Sequence, residues 1–278
     1  MRWPDVLDWV RLMAAERRWG VLDPASGADI AVELWQAEQA GEHVALPSQR
    51  VDGLSWVEAR AIAATVDDLR RADGCHQIGY KLGWTSEVMR RSLGIERPNW
   101  GTLWAHQRFD HTLHIGNLRH PKVEPEIVYR CGSTLSGTDV TAADVLNAAD
   151  GWALGHEIVH PRFFDFGFTW LDNTADNSSS QAVAIGEFGH LGPLDPADVE
   201  IEFGDGRELR RGRGSAAMDS PAQAVAWLVR ALDDEGLVLP AGHIVFTGGL
   251  AAPFDVVVGS EFRLSSSTLP GVDFNAGG

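Results

Sequence analysis

Only two cysteines, Cys75 and Cys131, occur in the 278 residues of this chain, so no disulfide framework is implied. Long apolar runs are missing too. Nothing approaches the roughly 18 uninterrupted apolar residues of a membrane-spanning helix, and Met1 to Gly20 mixes Arg and Glu with short apolar stretches instead of a signal-peptide core. Positive charge is scarce: Lys and Arg total 23 against 39 Asp and Glu, a net charge of −16. A nucleic-acid or anionic-membrane partner needs a basic patch, so that balance argues against both. It does not exclude an anionic small molecule, because a metal and a local lysine reverse the field inside a pocket. Internal repeats, low-complexity tracts and a βαβ rhythm are also absent, and a doubly wound sheet is not expected. A hydrophobic share of 44% is ample for a core. The expectation is a soluble, cytoplasmic, well-folded protein.

What is present divides into two textures. Helical patterns fill the first third. Trp3 to Arg18 reads as an amphipathic helix with Val6, Trp9, Val10 and Met13 on one face. Val21 to Asp29 reads as a break, and Ile30 to Ala40 as a second helix. Leu54 to Asp73 is the clearest helix, with Ser55 and Glu58 as a capping box, an Ala59/Ile62/Val66/Leu69 stripe, and Gly74 as a stop. From Ile78 onward short β-prone runs take over: 78–82, 113–115, 123–129, 153–160, 181–185, 199–203, 243–247 and 261–265. Two helices interrupt them, Thr141 to Asp150 and Pro221 to Glu235. The organisation expected is α+β, with a helical amino-terminal region over 1–75 and a β-rich body over 76–278.

Three glutamates dominate the chemistry. Glu124 and Glu126 lie in the otherwise apolar, β-branched run Val123-Glu124-Pro125-Glu126-Ile127-Val128-Tyr129, and residues two apart on a strand share a face. Two carboxylates aimed together from an apolar strand repel each other and lose water, a cost that something must offset. A hard divalent cation, with Glu157 of Gly155-His156-Glu157-Ile158-Val159 as a third oxygen ligand, is the simplest candidate. His156 and His160 sit at odd offsets from Glu157 and face the other way on a strand, so Mg2+ or Mn2+ is favoured over zinc.

Two further segments are unusual. Lys81 lies between glycines in Gly79-Tyr80-Lys81-Leu82-Gly83-Trp84-Thr85-Ser86, followed by Pro98-Asn99-Trp100-Gly101. The polar stretch Leu171-Asp172-Asn173-Thr174-Ala175-Asp176-Asn177 comes directly after an aromatic run. Singly, each has a plainer explanation: an edge strand, a surface lysine, a turn with capping residues. Together, in this order, the GYKLGWTS, PNWGTLW, VEPEIVY, GHEIV and LDNTADN segments resemble the fumarylacetoacetate hydrolase superfamily. The branch they resemble is that of the 2-hydroxypenta-2,4-dienoate hydratases and 4-oxalocrotonate decarboxylases. The resemblance runs from about Glu33 to Phe262.

That resemblance implies a helical amino-terminal region on a large mixed β-roll body. It implies Mg2+ or Mn2+ held at Glu124, Glu126 and Glu157, and a homo-oligomer, with a related pathway enzyme as a further partner. It brings Lys81 forward for proton transfer or for pairing with the substrate carboxylate, Asp172 or Asp176 as a second proton-handling group, and Asn177 with them. Ser86 is expected to donate to a substrate carboxylate. The Gly248-Gly249-Leu250 turn is expected either to bring backbone to the substrate at Gly249 or to be a plain turn. Trp84 and Trp100 depart from the family pattern and flank the lysine motif, which implies a bulkier or more apolar pocket unless they are core aromatics. The activity implied is hydration of a 2-hydroxy-2,4-dienoate through an enolate. A 4-oxalocrotonate-type decarboxylase, an acylpyruvate C–C hydrolase using His43 or His76, an isomerase, and a non-catalytic oxo-acid-binding partner subunit stand as alternatives.

Overall fold

The computed structural model describes Val10 and residues 19–278. Apart from Val10, the helix expected over Trp3 to Arg18 lies outside the described residues. In chain order the helices are α1 (Pro24–Ala40), α2 (Pro47–Arg50), α3 (Trp56–Ala72), α4 (Glu87–Leu93), α5 (Ala142–Asn147), α6 (Trp170–Ala175) and α7 (Pro221–Asp233). The strands are β1 (Gln77–Gly83), β2 (Asn99–Trp104), β3 (Thr112–His114), β4 (Lys122–Cys131), β5 (Ala149–Val159) and β6 (Ser180–Ile185). They continue as β7 (Glu200–Gly204), β8 (Leu209–Arg213), β9 (Ile244–Phe246), β10 (Phe254–Asp255), β11 (Glu261–Ser265) and β12 (Val272–Gly277). No helix among the described residues is long and apolar enough to cross a membrane.

The chain divides into two compact units, residues 1–77 with 160–180, and residues 78–159 with 181–278. The first is helical. Its α1 begins inside the stretch expected to be a break, because Asp23 accepts from Ser26 N as an N-cap and Pro24 occupies the first helical position. The α3 capping box forms as read: Ser55 N donates to Glu58 Oε2 at 2.7 Å, and Glu58 N donates to Ser55 Oγ at 3.5 Å. Ile30, Leu34, Ile62, Val66, Leu69 and Phe163 meet in its core. Residues 160–180, which carry α6, complete this unit rather than the β-rich one.

The second unit contains two mixed sheets. One runs β2-β1-β9-β4-β5-β6, with β10 added against β4, and the other runs β3-β12-β11-β7-β8. Strand alternation splits the first sheet into two faces. Tyr80, Leu82, Ile127, Tyr129, Leu154 and Ile158 point into the main core, where Phe203, Phe262 and Phe274 of the second sheet and the apolar stripe of α7 also pack. The opposite face carries a smaller apolar cluster of Leu103, Val128, Ala153, Val183, Ile244 and Phe246. The α5 helix stops at Asn147, short of the expected Asp150, because β5 begins at Ala149.

Candidate metal centre

The parity that sends Ile127 and Tyr129 into the main core sends Glu124, Glu126 and Val128 to the other face. In the antiparallel β4–β5 register Glu124 lies directly opposite Glu157, and Glu126 opposite Gly155. Like charges directly opposed across two strands destabilise a sheet. Here the third carboxylate sits beside that pair, and ligand oxygens from all three lie within 4.8 Å of one another. Glu126 and Glu157 are fully buried, and Glu124 is half-buried.

Burial pushes the Glu126 carboxyl well above the ordinary range, and the neighbouring Glu157 and Glu124 push it further. Glu157 is raised by burial and by Glu124 against the opposing pull of Lys81, and Glu124 by burial against Lys81 and Lys122. Lys81, 3% exposed, brings its Nζ to 3.1 Å from Glu157 Oε2. Lys122, tied to Asp255 at 2.5 Å, also acts on Glu124. One ammonium inside a cluster of three carboxylates leaves negative charge uncompensated. Glu126 Oε1 and Glu157 Oε1 are buried with no hydrogen-bond donor, and buried acceptors without donors are costly. An all-oxygen donor set with spare lone pairs and surplus negative charge fits a hard divalent cation.

Backbone closes one side of the cluster. Gly248 N donates to Glu126 Oε2 at 2.6 Å. A side chain on Gly249 would put its Cβ 3.0 Å from Glu124 Oε2, a tight contact that the carboxylate would have to shift to relieve. His156 belongs elsewhere, as its strand offset requires. Its ring lies near Phe203 and Phe274, its Nε2 donates to Val272 O at 2.9 Å, and burial lowers its pKa to about 4.

The remaining sequence candidates are spread over different elements. Ser86 is the N-cap of α4, its hydroxyl oxygen accepting from Met89 N at 3.4 Å. Trp84 is half-buried, in the left-handed region at φ +57°. Trp100 is packed edge-on against Tyr80 at 5.6 Å in the main core, on the face opposite Lys81 and the carboxylates. It is a core aromatic, and the reading of it as a pocket residue is corrected. Asn99, one residue earlier on β2, is fully buried and shares the face of Leu103 instead. Sequence reasoning passed over it, although alternation against Trp100 carried the signal.

Asp172, Asp176 and Asn177 lie in the helical unit. The Asp172 carboxylate accepts from Ser48 N and Oγ, both at 2.7 Å, and from Thr169 N and Oγ1 at 2.9 and 2.7 Å. Asp176 pairs with buried Arg162, whose Nε donates to Oδ1 at 2.5 Å and whose backbone N donates to Oδ2 at 3.1 Å. Burial raises Asp176 to about 6 despite that partner. Asn177, Ser178 and Ser179 follow, all buried and all at positive φ. Replacing Asp176 with alanine removes the carboxylate from the buried Arg162 guanidinium and leaves it only the backbone oxygens of Ser180 and residue 176. The expected cost is about 3–5 kcal/mol of unfolding free energy, measurable by urea titration.

No family model matches the chain. Among curated proteins it is 33% identical over 238 residues to the 2-hydroxyhexa-2,4-dienoate hydratase of Comamonas testosteroni, covering 83% of this chain and 90% of that one. It is 29% identical over 232 residues to a 4-oxalocrotonate decarboxylase of a Pseudomonas species, covering 82% and 89%. The chain belongs to this hydratase and decarboxylase branch of the fumarylacetoacetate hydrolase superfamily. Among solved structures, its fold matches that of the 4-oxalocrotonate decarboxylase from Pseudomonas putida G7, complexed with magnesium and adipate. The TM-score is 0.88 at 24% identity, over 94% of this chain and 100% of that one. The expected α+β fold of this superfamily is therefore the fold observed.

Proposed function

We propose that this member of the branch is a hydratase that adds water to a 2-hydroxy-2,4-dienoate, using a divalent cation, Mg2+ or Mn2+, held by Glu124, Glu126 and Glu157. The observation that carries the reading is the buried cluster of three carboxylates with Lys81 at its side. It occurs in a chain whose relatives bear hydratase names. A cation held by these three carboxylates would supply Lewis acidity to the oxygen of an oxo acid.

The residues of the chain do the rest. Lys81 Nζ, an ammonium beside Glu157, gives a proton to the distal carbon C5 and recovers one from the 2-hydroxyl, which converts the dienol to a conjugated 2-oxo-3-enoate. Water then adds its oxygen at C4 and a proton at C3. The apolar floor of Val128, Phe246, Leu103 and Ala153 excludes bulk water from the face that carries Glu126 and Lys81. Gly249 backbone and Trp84 line the approach. Asp172 and Asp176, their carboxylates taken up by Ser48, Thr169 and Arg162, serve the architecture of the helical unit and leave proton handling to Lys81. The reading extends to a homo-oligomer, as the family resemblance implies.

Decarboxylation is the second reading, because a decarboxylase of the same branch covers nearly as much of the chain. A single comparison separates the two. The protein is given 2-hydroxypenta-2,4-dienoate and 2-oxohex-3-enedioate, with Mg2+, with Mn2+ and with EDTA, following the ultraviolet band and product mass. Metal-dependent gain of water by the dienoate is expected. Loss of carbon dioxide from the dicarboxylate without hydration would hand the assignment to the second reading, and turnover of neither would sink both.

A further inference from the structure

The two oxygens of Glu126 are not equivalent. Oε2 accepts the 2.6 Å hydrogen bond from Gly248 N, while Oε1 has no protein donor. One oxygen is thus fixed by backbone and the other left for a cation, so the orientation of a single amide decides where Oε1 sits.

That amide is held from behind. Gly248 has φ +111°, a conformation closed to most side chains. A Cβ there would fall 2.0 Å from Thr85 Oγ1 and 2.7 Å from Thr85 Cγ2. Buried Thr85 therefore fills the space beside Gly248 and resists rotation of its peptide. Thr85 stands in the turn between β1 and α4, next to Trp84 at φ +57°. A non-glycine residue held there costs about 1–3 kcal/mol and persists only where its surroundings enforce it. Arg90 supplies the enforcement: its Nη1 donates to Trp84 O at 2.6 Å and to Thr85 O at 2.8 Å. Packing of α4 gives no substitute, since none of its residues is buried.

We infer that Arg90, Thr85 and Gly248 form a positioning relay that orients the Glu126 carboxylate and so sets the affinity of the cluster for its cation. The inference rests on the metal reading above. All three residues act through Glu126, and the relay starts at a half-buried side chain on a surface helix. The same turn follows directly on the strand end that carries Lys81, so one brace holds two elements of the site in register.

Partners of a metal ligand typically contribute about 10–100-fold to metal affinity. The test is a Mn2+ titration of the EDTA-stripped full chain, with free Mn2+ read by electron paramagnetic resonance. Arg90→Met is expected to weaken binding about tenfold. Arg90→Lys is expected to restore it to within about threefold, because both hydrogen bonds leave a single nitrogen that an ammonium can replace. Gly248→Ala, acting on the amide itself, is expected to cost about 100-fold. Should that variant fail to fold, the Arg90 pair decides alone. Binding by Arg90→Met within about twofold of the unaltered chain would overturn the relay, as would an Arg90→Lys protein no better than Arg90→Met. Failure of the unaltered chain to bind Mn2+ would remove the metal reading and the relay with it. Binding by the unaltered chain separates the two questions.

Discussion

Glu126→Gln is expected to abolish metal-dependent turnover and, in the same molecule, to make the metal-free protein more stable. The loss follows from the donor set. A neutral amide is a far poorer ligand for a hard cation than a carboxylate, and Mn2+ affinity is expected to fall by at least about 100-fold. The gain follows from burial. Glu126 is fully buried beside two other carboxylates, and its pKa is raised by desolvation first and by Glu157 and Glu124 next. Glutamine keeps a carbonyl to accept from Gly248 N and turns an amide N–H2 toward the acids, converting repulsion into hydrogen bonds. Replacing buried charge by a well-fitting neutral group stabilises by about 1–4 kcal/mol. A raised carboxyl pKa means that the folded state favours the protonated form. Wild-type stability is then full below the unfolded carboxylate pKa and is lost as pH rises through the higher folded value. The stability gap between variant and wild type should therefore open with rising pH in EDTA. Saturating Mn2+ should reverse the order, since only the wild type gains binding free energy. Thermal melts in EDTA and in Mn2+, at two pH values, check all three statements. A variant less stable than wild type in EDTA at neutral pH would mean that the cluster is not strained.

Much of this site was legible because strand parity is a local rule. Val123 to Tyr129 is apolar except at two positions of one parity, and that alone put Glu124 and Glu126 on one face. The observed β4 is longer by a residue or two at each end and otherwise the same strand. The same parity excluded His156, and the structure seats it among Phe203 and Phe274. What stayed hidden depends on partners distant in the chain. Nothing around Asp172 announces Ser48, nor does the context of Gly248 announce Glu126, because both contacts are fixed by tertiary register. Trp100 was brought forward as a pocket residue because it flanks the lysine motif in the chain, and no strand was read over 99–104. Those residues form β2, and alternation along it buries the indole in the main core. Strands β8 and β12 escaped for a related reason. Arginine and glycine weaken their β-character, and cross-strand pairing to β7 and β11 supplies what local propensity does not. The first turn of α1 was read as a break through its Pro, Ser and Gly. Asp23 and Pro24 make those residues a well-capped start instead.

Lys81→Met is expected to lower kcat by about 100- to 10,000-fold, the usual range for removing a positioned proton carrier. Mn2+ binding should be as tight as in the wild type or tighter. The two expectations separate because Lys81 has two neighbours with opposite demands. Its Nζ lies 3.1 Å from Glu157 Oε2, so in the metal-free protein it offsets part of the charge of the cluster. A divalent cation takes over that electrostatic task, and a retained ammonium then only repels it. Proton transfer has no such replacement. Methionine matches the lysine stem in length and apolar character but carries no exchangeable proton, and Lys81 stands in a buried row beside Phe246 with little room for water to substitute. The stem still fills its place on the apolar floor, so loss of packing does not confound the result. A variant that binds Mn2+ and turns over within about threefold of wild type would end the assignment of Lys81 as proton carrier, leaving it as a counter-ion for Glu157. A variant that loses both turnover and Mn2+ would make Lys81 part of what holds Glu157 in place. Slow turnover with intact Mn2+ binding is the outcome expected of the proposed role, because only then is the proton step carried by the one buried cation that faces the carboxylates among the described residues.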